Sequence, residues 1–230
     1  MYFEHASEIW QEFPELVAGV IQTGGITSDA EVDTCVAALT EVARERLGEE
    51  SESQLAEIQA WRRAFARMDL KPTQYRCAAE SLLRRFRKEG ELPRIHPLID
   101  LCNAASLAFA IPVAVFDVSA IEDHIEVRHA TGDERYLSFA GEVERPDPGE
   151  VIFADAAGQV HARRWTHRQS GSSAIRDSTA DVLIVAEAMH ATAAQDMPTL
   201  LETLAGRIGT AWGVEPHAAI LGADRQRFEF

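Results

Sequence analysis

Long apolar runs are missing from this 230-residue chain: none approaches the ~18 consecutive residues that a membrane-spanning helix needs. The N-terminus carries Glu4 and Glu8 and no basic cluster, so no secretory leader is expected. Cysteine is scarce. Cys35, Cys77 and Cys102 are odd in number and far apart, without metal spacing or an evident disulfide framework, and a cytoplasmic protein is the simplest expectation. The eight histidines are scattered with no His-Glu-x-x-His, so no metal site is expected. Gly24-Gly25 lacks the Lys-Ser/Thr of a phosphate-cradling loop, and Ser170-Gly171-Ser172-Ser173 is not a Gly-x-Ser-x-Gly nucleophile elbow. No cofactor is expected, and no repeat or low-complexity tract is present.

Acidic residues dominate what is there. The net charge of −15 argues against general nucleic-acid affinity, and no DNA partner is expected. One segment runs the other way: Trp61 to His96 holds ten Arg/Lys against four Asp/Glu, +6, which leaves −21 for the remainder. Arg84, Arg85, Arg87 and Lys88 form its densest part. They would either meet a phosphate backbone or form a solvated helix face paired with acidic neighbours.

A hydrophobic content of 46% is enough for a real core. Residues 1–13 read as a weak helix and Leu16–Thr23 as a strand. Helical spacing follows from Val32 to Leu47, stopped by Gly48, and again from near Ser53, with Leu55, Ile58, Trp61, Ala64 and Phe65. The central stretch, Glu80 to Asp117, starts with a basic helix carrying Leu82, Leu83 and Phe86 and capped by Gly90. An apolar helix from Leu98 to Phe109 contains the amide Asn103, and Val113–Phe116 is a buried-strand candidate. Strands are then expected at His124–His129, Arg135–Phe139, Val151–Ala154, Gln159–Trp165 and Val182–Ala186. A helix at Pro198–Trp212 and a strand at Ala218–Leu221 complete the chain. Helices early and antiparallel strands late predict an α+β fold.

The densest polar constellation is His161, Arg163, Arg164, Trp165, His167, Arg168 and Gln169. Strand alternation through Trp165 would put His161, Arg163 and Trp165 on one face. Arginine beside tryptophan could hold a carboxylate or phosphate and stack an aromatic ligand, or simply pack as an exposed strand. His161 and His167 are the candidate general bases.

Gly90, Pro93-Arg94-Ile95-His96, Ile99-Asp100-Leu101-Cys102-Asn103 and Pro112 to Asp117 follow one another in an order and spacing that has a known counterpart. The run resembles the B3/B4 domain of the bacterial phenylalanyl-tRNA synthetase β subunit. There a helix ends in Gly, and a Pro-Ile-Asn turn, a Val-Asp-x-x-Asn helix and a Pro-x-x-x-Phe-Asp strand follow. Asp155, the run to Gln169, and Asp177-Ser178-Thr179 before a Val/Leu/Ile strand extend the similarity over roughly residues 72–190.

The resemblance implies a single domain of α+β type, with helices first and then a largely antiparallel β core. Residues 1–71 would be a helical extension, 72–190 the core and 191–230 a C-terminal helix and tail. It further implies a freestanding, trans-acting deacylase that hydrolyses a mischarged aminoacyl-tRNA ester. The alternative is a non-catalytic module binding tRNA or a free amino acid. Asn103 would orient the substrate, Ala114 stands where the family has a pocket histidine, Gln169 where it often has glutamate, and Glu187 near its tyrosine-hydroxyl acceptor. Ala162-Arg163-Arg164-Trp165 replaces a Met-Gly-Gly strand, and two arginines there would make the pocket small and basic, suited to a smaller or more acidic ligand. Arg84, Arg85, Arg87 and Lys88 become the tRNA-facing residues. All of this requires Asn103 and the arginine–tryptophan strand to face one hollow.

Overall fold

The computed structural model describes residues 1–49 and 51–230. In chain order the elements are β1 (Tyr2–His5), α1 (Ser7–Glu12), β2 (Val17–Thr23), α2 (Asp33–Glu49), α3 (Ala56–Arg67), α4 (Ala78–Glu89), α5 (Pro97–Phe109) and β3 (Val113–Asp117). They continue with β4 (His124–His129), β5 (Arg135–Leu137), β6 (Val143–Glu144), β7 (Val151–Ala154), β8 (Gln159–Arg163), β9 (Arg168–Gln169), β10 (Val182–Ala188), α6 (Ala193–Trp212), β11 (His217–Leu221) and β12 (Arg227–Glu229). The fold is α+β.

Two sheets face each other. The smaller has the order β11-β2-β10-β3 and is antiparallel throughout. The larger runs β12-β1-β4-β7-β8-β5-β6, with β9 paired to β8; its β1–β4 and β5–β8 pairings are parallel. Strand β10 explains the layering. All seven of its residues are buried. Leu183 and Val185 point into the inter-sheet core with Phe3, Phe116 and Phe153, while Val182, Ile184 and Ala186 point to the opposite core with α5 and α6. Glu187 shares the parity of Val185, so the strand carries a carboxylate into the space between the sheets.

Helix α4 follows its sequence pattern: Leu83 and Phe86 are buried, and Gly90 ends it at φ 82°. Other expectations need correction. Residues 1–13 are not one helix, because Tyr2–His5 is extended and pairs with β4 and β12. Residues 1–71 are not a helical extension either: β1 and β2 sit inside the two sheets, and the body of the fold does not begin at residue 72. Gly48 lies within α2. The strand expected over Gln159–Trp165 stops at Arg163, since Arg164 (φ 47°) and Trp165 (φ 56°) are left-handed.

Candidate functional site

Two successive non-glycine residues in the left-handed region cost about 1–2 kcal/mol each. Long-range contacts hold them there. The Arg164 amide donates to Glu150 Oε1 (2.9 Å) and the Trp165 amide to the Val151 carbonyl (2.7 Å). The turn is also tied to the start of α4, where the Ala78 amide donates to the Thr166 carbonyl at 2.8 Å. This reversal throws the Trp165 indole into the core, fully buried, edge-on to Phe13 (4.8 Å) and Trp61 (5.2 Å).

The turn closes over a small cavity of about 60 Å³. Its apolar wall comes from Pro112, Val113 and Ala114 on β3 and its approach, Phe153, Ala162, Val185 and Ala78; its polar lining is Thr166, His167, Arg168, Gln169 and Glu187. Gln169 is anchored by its Nε2 donating to the Val115 carbonyl at 2.6 Å. Glu187 Oε1 meets two ring nitrogens, Trp165 Nε1 at 2.9 Å and His5 Nε2 at 2.7 Å. Its Oε2 accepts no hydrogen bond from any described residue and is not among the sealed, unpartnered polar atoms. A carboxylate fixed through one oxygen thus leaves the other without a partner among the described residues. His5 escaped sequence reasoning: it stands alone near the N-terminus, and only the β1–β4 pairing brings it to a residue 182 positions away.

His167 also lines the cavity. Its Nδ1 lies 2.8 Å from the Arg76 carbonyl, which can only accept, so Nδ1 carries the proton and Nε2 the lone pair. Burial pushes its pKa below the ordinary histidine value, and Arg164 and Arg168 add to this against the Arg76 carbonyl. The imidazole is therefore neutral at pH 7, with a basic nitrogen that no described residue occupies.

His161, the other candidate base, is placed differently. It is fully buried between Ser173 Oγ (2.9 Å from Nδ1) and Asp155 Oδ2 (3.3 Å from Nε2) and does not line the cavity. Burial pushes Asp155 up, but the bonds from His161 and from the backbone of Gln159 and Glu122 outweigh it and hold the carboxyl below its usual range. Serine, histidine and aspartate in line suggest a nucleophilic triad. Ser173 has no exposed surface, however, so the chain of bonds pins the 170–179 loop to β8 instead.

A model of the B3/4 domain family matches residues 60–203. The chain belongs to the B3/4 domain family. A search of curated proteins gave no match. Among solved structures, an N-terminal fragment of the phenylalanyl-tRNA synthetase β subunit from Pyrococcus horikoshii is similar at 10% identity with a TM-score of 0.49. The similarity covers 93% of this chain and 49% of that one, so the chain spans about half the fragment's length.

In this B3/4 domain Ala114, Trp165, Gln169 and Glu187 meet at one cavity with His167, while Asn103, Arg163 and Arg164, like His161, lie elsewhere. Arg163 is buried in a bidentate pair with Glu150 (2.9 and 2.8 Å) and reaches Glu144 at 2.6 Å. Arg164 stacks over Tyr75 at 4.9 Å on the outer side of the turn. Neither arginine lines the cavity, whose charged lining among the described residues is Arg168 and Glu187. The Trp165 indole takes up part of the space, and one carboxylate, Glu187, faces one guanidinium, Arg168, across the lining. Asn103 opens onto a separate hollow of about 260 Å³ between α2 and the α4–α5 link, with Asp33, Arg44 and Arg94. Among the described residues Asn103 and Trp165 therefore line different hollows and not the shared one expected from the sequence, because α5 presents Asn103 to α2 and not to β8.

The basic helix is largely neutralised by acidic neighbours. Arg62 and Arg76 flank buried Glu80, Arg85 pairs with Glu89, and Arg87 reaches buried Glu52 at 3.2 Å. Arg84 and Lys88 are exposed and have no ion-pair partner among the described residues. No helix of the structure is long and apolar enough to cross a membrane.

Proposed function

We propose that the cavity receives the amino-acid part of an aminoacyl-tRNA ester, and that the chain acts in trans as a deacylase removing a misattached residue. One observation carries this reading: His167, neutral and with a free Nε2, borders the same cavity as the half-free carboxylate of Glu187. A water held at Nε2 gives its proton to the imidazole as its oxygen attacks the ester carbonyl carbon. The bond from that carbon to the ribose oxygen then breaks, and the imidazolium returns the proton to the ribose oxygen. An aminoacyl ester is already activated, so positioning a water and excluding the correct substrate supply most of what is needed.

Glu187 Oε2 would accept a hydrogen bond from a ligand hydroxyl or ammonium. A cavity of only about 60 Å³ favours a small side chain over an aromatic one. A second reading, a non-catalytic module that holds the aminoacyl or amino-acid group, is favoured by Ala114 standing where the resembled synthetases carry a pocket histidine. Incubation with tRNAs mischarged with small, hydroxylated and aromatic residues separates the two. The deacylase reading expects hydrolysis of at least one small aminoacyl ester, reduced about 10²-fold or more by His167→Gln. Hydrolysis of none would sink it. Thermal stabilisation by an amino-acid ester that is not consumed would establish the binding module.

A further inference from the structure

Arg168 and Gln169 are a shared wall. One side closes the cavity described above, and the other lines an open hollow of about 340 Å³ together with Tyr136, Phe139 and Glu142. Phe139 is 72% exposed, more than any other large apolar side chain described. Its ring has no aromatic partner among the described residues, although the backbone beneath it is firmly held. The Ser138 amide donates to the Glu142 carbonyl (2.8 Å), the Glu142 amide to Ser138 Oγ (3.1 Å), and Gly171 and Ser170 both donate to the Leu137 carbonyl. A Cβ at Gly171 would meet the Ser138 carbonyl oxygen at 3.1 Å, so the 170–171 backbone abuts the turn directly. The exposure is thus built by a fixed turn. Beside it, the Arg168 guanidinium lies over the Tyr136 ring at 5.3 Å, with only long contacts of 3.3–3.4 Å to Glu144.

We infer that this hollow takes the unpaired terminal nucleotide of the RNA, its base stacked on Phe139 and its phosphate beside Arg168. The inference rests on the aminoacyl reading of the adjoining cavity. An aminoacyl group is esterified to the terminal ribose, so the base attached to that ribose must lie within one nucleoside of the cavity, on the surface that Arg168 and Gln169 share. A flat apolar ring next to a guanidinium is the surface that single-stranded nucleic acid uses without base-pairing. Such a platform also suits an otherwise acidic chain, because stacking needs no net positive field.

The test measures fluorescence-anisotropy binding of a 5′-labelled RNA trinucleotide, cytidine-cytidine-adenosine without an amino acid, to the intact protein. Phe139→Ala is expected to weaken binding about 5- to 100-fold, and Phe139→Trp to retain it. Val143→Ala, which alters the neighbouring exposed side chain outside the hollow, is expected to leave it unchanged. No binding by the wild type, or equal binding by Phe139→Ala, overturns the inference. It is overturned as well if Phe139→Ala and Val143→Ala both convert an oligomer to a monomer, because the patch is then a protein interface. Thermal melts of each variant confirm folding. Deacylation is scored separately on mischarged tRNA, so loss of the hydrolysis reading and loss of the stacking site give different patterns.

Discussion

Truncating Trp165 to alanine should change stability and specificity together. The indole is completely buried, packs edge-on against Phe13 and Trp61, and donates to Glu187 at 2.9 Å. Removing a core tryptophan costs about 3–5 kcal/mol. For a chain of 230 residues each kcal/mol moves Tm by about 2–4 °C, so Trp165→Ala should melt about 6–20 °C below wild type. The backbone adds a second signature. At φ 56° alanine keeps the left-handed penalty and glycine does not. Trp165→Gly should therefore be at least as stable as Trp165→Ala, against the usual order in which glycine is worse by about 0.5–1 kcal/mol. Both variants enlarge the cavity, and ester preference should move toward larger residues, tyrosine included. Thermal unfolding followed by circular dichroism, with an ester panel, reads all three effects. A Tm loss below about 3 °C, or a glycine variant clearly less stable than the alanine one, would refute the placement of the indole and its turn.

Other predictions concern charge. His167 works as a base only when neutral, and its pKa lies below the ordinary histidine value of about 6.5. Deacylation should thus be flat from pH 8 to about 7.5 and fall to half only below about pH 6.5; a half-maximal rate above pH 7 would exclude it as the base. Arg163→Ala leaves buried Glu150 without its bidentate partner and should cost about 3–5 kcal/mol in urea unfolding, while ligand affinity of the folded fraction is unchanged. Weakened affinity at full stability would return Arg163 to the site. Replacing Arg84 and Lys88 with glutamate should weaken tRNA binding and lower its salt slope by about 2 at constant Tm. Arg87→Ala should instead lower Tm, because Glu52 is buried against it; a salt slope unmoved by the first pair would remove α4 from the RNA interface.

Much of the fold was legible because its cause is local. The apolar stripe of α4 and its glycine cap, the Val/Leu/Ile run of β10 and the helical spacing of α3 each act within a few residues, and all appear where the pattern put them. The N-terminal strand was not legible. Tyr2-Phe3-Glu4-His5 is too short to show a period, and it is extended only because β4 and β12 supply its hydrogen bonds. At the site, Ala114, Gln169 and Glu187 were reached through the family motif, and His167 through its place in a polar cluster.

The sequence alone determined the α+β class, the B3/4 motif order and the presence of a carboxylate at the end of a buried strand. It did so because periodicity, capping and motif spacing are properties of neighbouring residues. Tertiary structure decided which of the polar side chains line the cavity. Glu150 and Glu144 draw Arg163 away, α2 faces Asn103, and the Val151 carbonyl with the Glu150 carboxylate holds a left-handed turn that no glycine advertises. Those outcomes depend on partners distant in the chain, whose energies enter only once the two sheets have closed on each other.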